Sequence, residues 1–542
     1  MIRNVRFGML LKKWEYCLPI FACMLAFALR YHFLVTYRYP MMIHEQDAVG
    51  YMVVAKNIFQ LQPLDTAGRP PGYPLVIALF ALLPVDLEYA ARLASIFMDA
   101  LTVLPLFILA RIYLSRIPAL AVCLLWAFFS FSLIFTTSPL SQSSYLCYLL
   151  WGIVLLHQGV EKNGKGWLCG AGILFALSYL ARPEGFVGFV CGFLVCLLPL
   201  IGKGNFNRKK VAAPLVFLLG FLLLAGPYLI SLHNHIGQWA LSPLTESHVK
   251  TADVVLTLNA KGELKKTGTG GSVWKDYYGT VPVFIDAVWA NIKAFSRVYY
   301  STFPIWMHLV SWAGMVILLW GRRAKNFIYM LILLAVTSPN YIVTIPKTHS
   351  YIYPIFTVMF VCFIAFFETA AKGVWRVVEK FRPVMKSAVY EAGLSVLLLL
   401  VVSYVSFGFY KQADANYQSP ELVRQVMLTE KIYKGAGEII KNNSQKNDVI
   451  MTRWGLVGYF ADRPVITLPK GGVKEVVDYG RKNGARFLLI DTNSVLSRRQ
   501  ELIELLGPLE GKPVNPAYGI EVLSGNYFPD LGGFVIYRYL LK

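Results

Sequence analysis

The sequence predicts a polytopic α-helical membrane protein that ends in a small soluble α/β domain. Of its 542 residues, 56% are hydrophobic and only 15% are charged, well below the charge of a soluble surface. Apolar runs of about 18 to 22 residues recur up to residue 410, and this is the length that a helix needs to cross a bilayer. After residue 410 the pattern changes to that of an ordinary soluble sequence.

The predicted transmembrane helices, about eleven in all, alternate with mostly short loops. They span about 17–37, 90–110, 118–136, 143–160, 166–181, 185–201, 211–231, 304–320, 327–345, 351–367 and 389–409. The net charge of +21 comes mainly from basic residues in alternate loops, which indicates the positive-inside rule and not nucleic-acid binding. We therefore expect a cytoplasmic N-terminus and an extracytoplasmic, or periplasmic, C-terminal domain.

Two outer loops interrupt the predicted transmembrane module, residues 1–410. The first, 38–89, includes an apolar run at 73–84 that is too short to cross, so we expect a juxtamembrane or re-entrant segment. The second, 232–303, ends in PVFIDAVWANIKAFSRVYYSTF, whose apolar spacing predicts an interfacial amphipathic helix. In the C-terminal domain, 411–542, the segments DVIMT, RPVITL and RFLLID predict short buried strands between helices.

Cofactor chemistry finds little support in the residue pattern. The C-terminal domain has neither a GxGxxG nor a P-loop motif, so nucleotide binding is not expected. All eight cysteines fall in or beside apolar segments without a CxxC pair, and no HxxxH motif occurs. We expect no required cofactor, and a divalent metal has only weak support. The lack of a GxSxG motif also argues against a nucleophilic serine.

An acidic stretch follows the first predicted helix in a chain where acids are scarce. Within His44–Pro74, Glu45 and Asp47 precede the amphipathic segment AVGYMVVAKNIFQ, which places both carboxylates at the membrane interface. Partial desolvation there tunes the pKa of a carboxylate, as general-base catalysis requires. The alternative is that these residues only cap the following helix, since aspartate is a favoured N-cap.

Charged residues also occur at the end of one predicted helix and inside another. In ARPEG, Arg182 follows the fifth predicted helix and either binds a lipid phosphate bidentately or snorkels to the interface. Asp99 lies within the second predicted helix, where an unpaired charge is costly, so it marks a polar interior. Arg92 is one candidate for its structural partner.

The loop Ile345–Pro354 carries a cation beside aromatic hydroxyls, between two predicted helices. These side chains suit a phosphate-sugar head group at the outer lipid boundary, and the alternative is an aromatic belt with a snorkelling lysine. The residues concerned are Lys347, His349, Tyr351 and Tyr353.

Together these stretches resemble the GT-C glycosyltransferase superfamily, in the branch of protein O-mannosyltransferases and lipid A aminoarabinose transferases. The resemblance rests on HEQDAVGYMVVAKNI, RPPGYP, SPLSQSSYLCYLL, ARPEG and KTHSYIYP, in that order. It implies a GT-C fold in the inner membrane of a bacterial or archaeal cell. It also implies a polyprenyl-phosphate-linked sugar as the donor, and a glycan, lipid or protein hydroxyl as the acceptor.

The resemblance further implies roles for individual residues. Asp47, with Glu45 as its rival, would deprotonate the acceptor hydroxyl, and a single displacement would invert the anomeric carbon. Cations would hold the charge of the phosphate leaving group. The donor-binding candidates are Arg182, Lys347, Arg69, His349, Tyr351, Tyr353 and Gln142, and further candidates are His44, Tyr73, Glu184 and Asp99.

Gln142 is a departure from the family pattern. It stands where members of the superfamily often place an acid, in a pattern like P-x-T/S-E, whereas this chain has PLSQ. An amide can orient a sugar through hydrogen bonds, but it cannot act as a base or as a charged metal ligand. The substitution weakens a metal-dependent mechanism and puts more weight on Asp47.

Two other functions fit the same composition. A transporter or flippase of lipid-linked sugars often shows inverted repeats and broken helices at the midplane, but no internal repeat is visible and the polar residues gather at the outer boundary. A non-catalytic envelope assembly factor would use the C-terminal domain to bind a partner. In each case we expect contact with membrane lipids and no nucleic-acid partner.

Overall fold

The computed structural model shows a chain that is mainly helical, with a small sheet near its C-terminus. It describes residues 14–37, 46–61, 69–162, 164–201, 208–236, 239–241, 256–258, 264–266, 281–320, 329, 332, 335–336, 352–381, 387–469 and 471–540. The chain forms two compact units. The helical unit contains Met1–Tyr37, Val54–Thr245 and Thr280–Asn416, and the sheet unit contains Arg38–Val53, Glu246–Gly279 and Tyr417–Lys542.

The helices up to residue 417 are numbered in chain order. They are α1 (Trp14–Tyr37), α2 (Gln46–Phe59), α3 (Gly72–Phe80), α4 (Leu87–Leu101), α5 (Val103–Tyr113), α6 (Arg116–Phe128), α7 (Ser130–Phe135), α8 (Gln142–Lys162), α9 (Lys165–Ala181), α10 (Gly185–Ile201), α11 (Arg208–Ile236), α12 (Val281–Thr302), α13 (Ile305–Trp320), α14 (Tyr353–Phe381) and α15 (Ser387–Tyr417).

Six helices in the described part of the chain are long and apolar enough to cross a membrane. They are α1, α4 continued by α5, α8, α11, α14 and α15. Each coincides with a predicted span, because an apolar run of about twenty residues satisfies its backbone in lipid only as a helix. The predicted class, a polytopic helical membrane protein with a C-terminal α/β domain, is confirmed.

Several predicted spans are shorter or broken. Helices α6, α9 and α10 are apolar but below the length of a full span. The span predicted at 118–136 is interrupted at Phe129, whose φ of −57° and ψ of 115° separate α6 from α7. Helices α12 and α13 meet at a bend of 106° and count as one broken span at most. Among the described residues there are therefore six spans, or seven with this pair, against about eleven predicted. The span predicted at 327–345 lies largely outside those residues.

The apolar run at 73–84 contains the short helix α3. Its nine residues rise about 14 Å, roughly half of the hydrocarbon thickness of a bilayer. Six of the nine are buried, and the helix packs against α4 and α9. Its length agrees with the prediction of a segment that does not cross the membrane.

A buried ion pair joins α1 to α4. Arg30 Nε donates a hydrogen bond to Asp99 Oδ2 at 2.6 Å, and both side chains are fully buried. The guanidinium also donates to Ser132 Oγ at 2.6 Å and to three backbone carbonyl oxygens, while Tyr353 donates its hydroxyl to Asp99 Oδ1. Such complete hydrogen bonding is what makes a buried charge pair tolerable.

The partner suggested for Asp99 from the sequence, Arg92, is wrong. Arg92 donates instead to Glu88 Oε1 at 2.6 Å and to the Thr137 carbonyl oxygen at 2.9 Å. Arg92 and Asp99 are two helical turns apart, about 10 Å along the axis of α4. Arg30 reaches Asp99 from the neighbouring helix.

Helices α9 and α11 meet backbone to backbone at two glycines. A Cβ atom on Gly172 would lie 2.2 Å from the Phe217 carbonyl oxygen, and one on Gly220 would lie 2.3 Å from the Cys169 carbonyl oxygen. Only hydrogen fits at both positions, so the pair sets the distance between the two helices.

We expect Gly172→Ala to destabilise the helical unit by about 1 to 3 kcal/mol, the usual cost of overpacking a tight contact. Thermal unfolding of the purified protein in detergent measures the effect. Gly226→Ala on α11 is the matched control, because a Cβ atom there meets nothing within 4 Å. Equal melting temperatures for the two variants would contradict the close-contact model.

The sheet unit packs short helices around a five-stranded sheet. Its helices are α16 (Pro420–Leu428), α17 (Gly435–Asn442), α18 (Gly455–Ala461), α19 (Val473–Lys482) and α20 (Thr492–Arg498), and a π-helical turn, Thr429–Lys434, joins the first two. Its strands are β1 (Leu256–Leu258), β2 (Leu264–Lys266), β3 (Val449–Thr452), β4 (Val465–Thr467), β5 (Ala485–Asp491), β6 (Ile520–Phe528) and β7 (Gly532–Tyr539). The main sheet has the order β4-β3-β5-β7-β6, and β1 pairs only with β2.

The main sheet is parallel on one side and antiparallel on the other. Strand β3 pairs in parallel with β4 and β5, and these are the three strands predicted from the sequence. The hairpin β6–β7 was not predicted, and β7 pairs antiparallel with β5. Asp530, with φ of 64°, and Gly532, with φ of 91°, form its left-handed turn. The boundary predicted at residue 411 falls inside α15, and the sheet unit resumes at Tyr417.

Candidate active site

Asp47, the predicted base, lies in the first turn of α2 and is half-buried. The helix is well anchored, because two of its own residues, Ala48 and Met52, are fully buried. Within the sheet unit, the Tyr459 hydroxyl lies 4.0 Å from Met52 Sδ. The other two candidates of this stretch, His44 and Glu45, lie outside the described residues.

RPPGYP is clamped between α4 and α9. A Cβ atom on Gly72 would lie 2.5 Å from the Leu180 carbonyl carbon, so only glycine permits this approach to the end of α9. Tyr73 is fully buried, and its hydroxyl donates to the Ala91 carbonyl oxygen at 2.9 Å and contacts Ser95 Oγ at 2.6 Å. The segment is therefore fixed on both sides.

The PLSQ segment is tied to the same serine. Ser95 Oγ donates to the Leu140 carbonyl oxygen at 3.2 Å, two residues before α8 begins at Gln142. Gln142 is only 7% exposed, and its Oε1 has no hydrogen-bond partner in the described structure. Ser178 Oγ on α9 donates to the Tyr145 carbonyl oxygen at 3.2 Å, which connects the start of α8 to the end of α9.

ARPEG forms the tight turn from α9 to α10. Arg182 donates to Glu184 Oε1 at 2.9 Å, and the two side chains are only 11% and 12% exposed. A Cβ atom on Gly185 would lie 2.4 Å from the Tyr179 nitrogen, so glycine allows the turn to fold back on α9. Glu184 Oε2 is buried and has no hydrogen-bond partner among the residues that the structure describes.

The structure thus brings three of the predicted segments together in the helical unit: RPPGYP, PLSQ and ARPEG. Gly72 lies against the end of α9, and Tyr73 and Leu140 share Ser95. The remaining candidates are spread more widely. Arg69 is half-buried just before RPPGYP, Asp99 and Tyr353 lie in the buried ion-pair network, and Lys347, His349 and Tyr351 lie outside the described residues.

An apolar cavity opens between α12, α13 and α14. Its volume is about 360 Å³, which is within the range of small-molecule sites. Aromatic and aliphatic side chains line it, with few polar groups; they include Phe295, Tyr299, Tyr300, Trp312, Met315 and Met359. The cavity was not predicted from the sequence, because it depends on the 106° bend between α12 and α13 and on the packing of both helices against α14.

The sheet unit carries a polar cluster at the end of β5. Asp491 accepts a hydrogen bond from the Ser494 nitrogen at 2.8 Å and caps α20, and Trp454 Nε1 donates to Ser494 Oγ at 2.6 Å. Burial raises the pKa of the Asp491 carboxyl above its ordinary value. These bonds have a structural purpose, because they join the ends of β3 and β5.

A metal centre receives no new support from the side chains. No group of three or more histidine, cysteine, aspartate or glutamate side chains is arranged to hold an ion within the described ranges. The one acid of ARPEG, Glu184, pairs with its one cation, Arg182. The arrangement suits hydrogen bonding to a polar ligand.

Comparisons with known proteins match both the sequence segments and the fold. The family model described as dolichyl-phosphate-mannose-protein mannosyltransferase (PMT_2) matches residues 68–230, which contain RPPGYP, PLSQ and ARPEG. No curated protein matches the sequence significantly.

Three solved structures illustrate the likeness. ArnT from Cupriavidus metallidurans bound to undecaprenyl phosphate is 12% identical, with a TM-score of 0.56, and the match covers 97% of this chain and 98% of that one. AglB, an archaeal oligosaccharyltransferase from Archaeoglobus fulgidus in complex with an inhibitory peptide and a dolichol-phosphate, is 13% identical with a TM-score of 0.52, over 97% and 74% of the chains. The arabinofuranosyltransferase AftD from Mycobacteria is 12% identical with a TM-score of 0.51, over 98% and 40%. The predicted GT-C fold and the resemblance to that superfamily are confirmed.

Proposed function

We propose that this GT-C protein is a glycosyltransferase that moves a sugar from a polyprenyl-phosphate donor to an acceptor hydroxyl on the extracytoplasmic face. The observation that carries the proposal is the convergence of RPPGYP, PLSQ and ARPEG around Ser95 and the end of α9. All three lie inside the segment matched by the mannosyltransferase family model. Their buried polar groups fit a site that orients a sugar head group.

In the proposed reaction Asp47 removes the proton from the acceptor hydroxyl, with Glu45 as the alternative base. The acceptor oxygen then bonds to the anomeric carbon as the bond from that carbon to the phosphate oxygen breaks. One displacement inverts the configuration, and the polyprenyl phosphate leaves with the bonding electron pair. Lys347, Arg69 and Arg182 are the cations proposed to stabilise the charge that develops on the phosphate.

The remaining loop candidates complete the proposed donor site. His349 and Tyr351 follow Lys347 in the sequence and would bind the phosphate or the sugar. Tyr353 begins α14 and bonds to Asp99, so we propose that it anchors this loop to the bundle.

The apolar cavity between α12, α13 and α14 supports a lipid-linked donor. A polyprenyl chain is a hydrocarbon, and burial of its surface is favourable at about 25 cal/mol per Å². ArnT and AglB were solved with undecaprenyl phosphate and a dolichol-phosphate respectively, and we propose that a lipid of this class is bound here. The cavity would hold part of the lipid chain.

A transfer assay with purified full-length protein in nanodiscs tests the function. The donors are undecaprenyl-phosphate-linked glucose, mannose and arabinose, each labelled in the sugar, and the acceptors are membrane and envelope fractions of the host. We expect one donor to give labelled acceptor and an equal amount of free undecaprenyl phosphate. Movement of the labelled lipid across the bilayer without a new glycosidic bond would favour a transporter instead.

A further inference from the structure

Two buried oxygen atoms at the converged segments can only accept hydrogen bonds. Gln142 Oε1 and Glu184 Oε2 have no hydrogen-bond partner in the described part of the chain. Gln142 shares a face of α8 with Tyr145, three residues later, and the Tyr145 carbonyl oxygen accepts a hydrogen bond at 3.2 Å from Ser178 Oγ, four residues before Arg182. This bond connects the start of α8, which carries Gln142, to the end of α9, which directly precedes ARPEG.

An unsatisfied buried acceptor costs about 1 to 3 kcal/mol, so such atoms call for an explanation. A ligand that donates two hydrogen bonds would satisfy both oxygens. Phosphate at neutral pH offers chiefly acceptor oxygens, and it would face these two atoms with repulsion. A sugar ring carries several hydroxyl groups, each of which donates one hydrogen bond.

We propose that Gln142 Oε1 and Glu184 Oε2 bind sugar hydroxyls and select the sugar, a proposal that rests on the proposed transferase function. Arg182 bonds the other oxygen of Glu184 at 2.9 Å and balances its charge. Gln142 and Glu184 together therefore suit a neutral hydroxylated ring, and they do not require a cationic one. Arg182, proposed above as a phosphate-binding cation, therefore also positions the carboxylate of Glu184.

This arrangement explains why glutamine, and not an acid, stands at position 142. An acid at this position would add a second buried negative charge to the proposed site, where Arg182 already pairs with Glu184. An amide keeps an acceptor oxygen at the same place without that charge. Glutamine is thus suited to a site where Glu184 already carries the acidic group.

The experiment measures lipid binding to the full-length protein in nanodiscs by native mass spectrometry. The probes are bare undecaprenyl phosphate and the undecaprenyl-phosphate-linked sugar that the wild type transfers. We expect Gln142→Met to weaken binding of the sugar-bearing lipid about three- to tenfold, the loss of one hydrogen bond, and to leave the bare lipid within about twofold. Glu184→Gln keeps an acceptor oxygen but loses the negative charge that pairs with Arg182. We expect it also to weaken binding of the sugar-bearing lipid.

Gln158→Met is the matched control. Gln158 lies on the same helix, about 24 Å away, and is also a buried glutamine whose Oε1 has no partner in the described structure. We expect it to change binding of neither lipid. Equal losses in Gln142→Met and Gln158→Met would show general damage to α8 and would overturn the proposal.

A second measurement, the KM of the acceptor, shows whether the bound hydroxyls belong to the donor sugar or to the acceptor. If Gln142→Met binds both lipids normally but raises the KM of the glycan acceptor, the hydroxyls belong to the acceptor and the sugar-binding role stands. If wild-type transfer is normal and neither binding nor KM changes in the variants, the inference fails while the function survives. If the wild type neither binds nor transfers the lipid-linked sugars, the proposed function itself fails.

Discussion

Replacing Asp47 with asparagine is expected to lower kcat for sugar transfer by about 10²- to 10⁴-fold, the usual contribution of a general base. The reason is that an amide cannot take the proton of the acceptor hydroxyl, while its size leaves the site intact. Affinity for the lipid-linked donor should stay within about threefold. The measurement is single-turnover transfer by purified Asp47→Asn in nanodiscs.

The same variant separates catalysis from helix capping. Asparagine caps helices about as well as aspartate, so a capping role for Asp47 predicts little loss. Loss of a negative charge in the first turn of α2 costs only about 0.3 to 1 kcal/mol. Asp86→Asn is the control, because Asp86 caps α4 through the Tyr89 nitrogen at 2.8 Å. Activity of Asp47→Asn near that of Asp86→Asn would remove Asp47 from the mechanism and make Glu45→Gln the next variant to measure.

Breaking the Arg30–Asp99 pair should have the largest effect on stability. Either Asp99→Asn or Arg30→Gln leaves one charge buried without its partner, and we expect each to cost about 3 to 5 kcal/mol. Tyr353 and Ser132 would also lose a charged partner in Asp99→Asn. Thermal or denaturant unfolding in detergent measures the loss.

The double variant Arg30→Gln/Asp99→Asn completes a double-mutant cycle with the two single variants. It buries no net charge, so its loss should be smaller than the sum of the two single losses by at least about 1 kcal/mol. Additive losses would mean that the two side chains stabilise the fold independently. Arg481→Gln, which removes a largely exposed ion pair with Asp478, should change stability by under about 1 kcal/mol.

The parts that the sequence predicted well depend on local pattern. Apolar runs near twenty residues specify α1, α8 and α11, and alternating strands and helices specify β3 to β5. RPPGYP, PLSQ and ARPEG were found as motifs, because glycine, proline and charged residues stand out against an apolar chain.

What was missed depends on contacts between distant residues. Nothing in the local pattern around Asp99 indicates that Arg30, 69 residues earlier, is its partner. Tyr353 was predicted for donor binding, and its hydrogen bond to Asp99 emerges only from the packing of α14. The unsatisfied oxygens of Gln142 and Glu184 likewise depend on the geometry of the assembled bundle.

The Arg30–Asp99 pair also has a consequence for biogenesis. Synthesis at about 5 to 20 residues per second means that Arg30 exists for roughly 3 to 14 s before Asp99 is made. During that time α1 carries a lone positive charge, which costs about 2.5 to 3.5 kcal/mol at the centre of a membrane helix. We expect α1 to stay beside the insertion machinery until α4 emerges, so that the two helices enter the lipid as a pair.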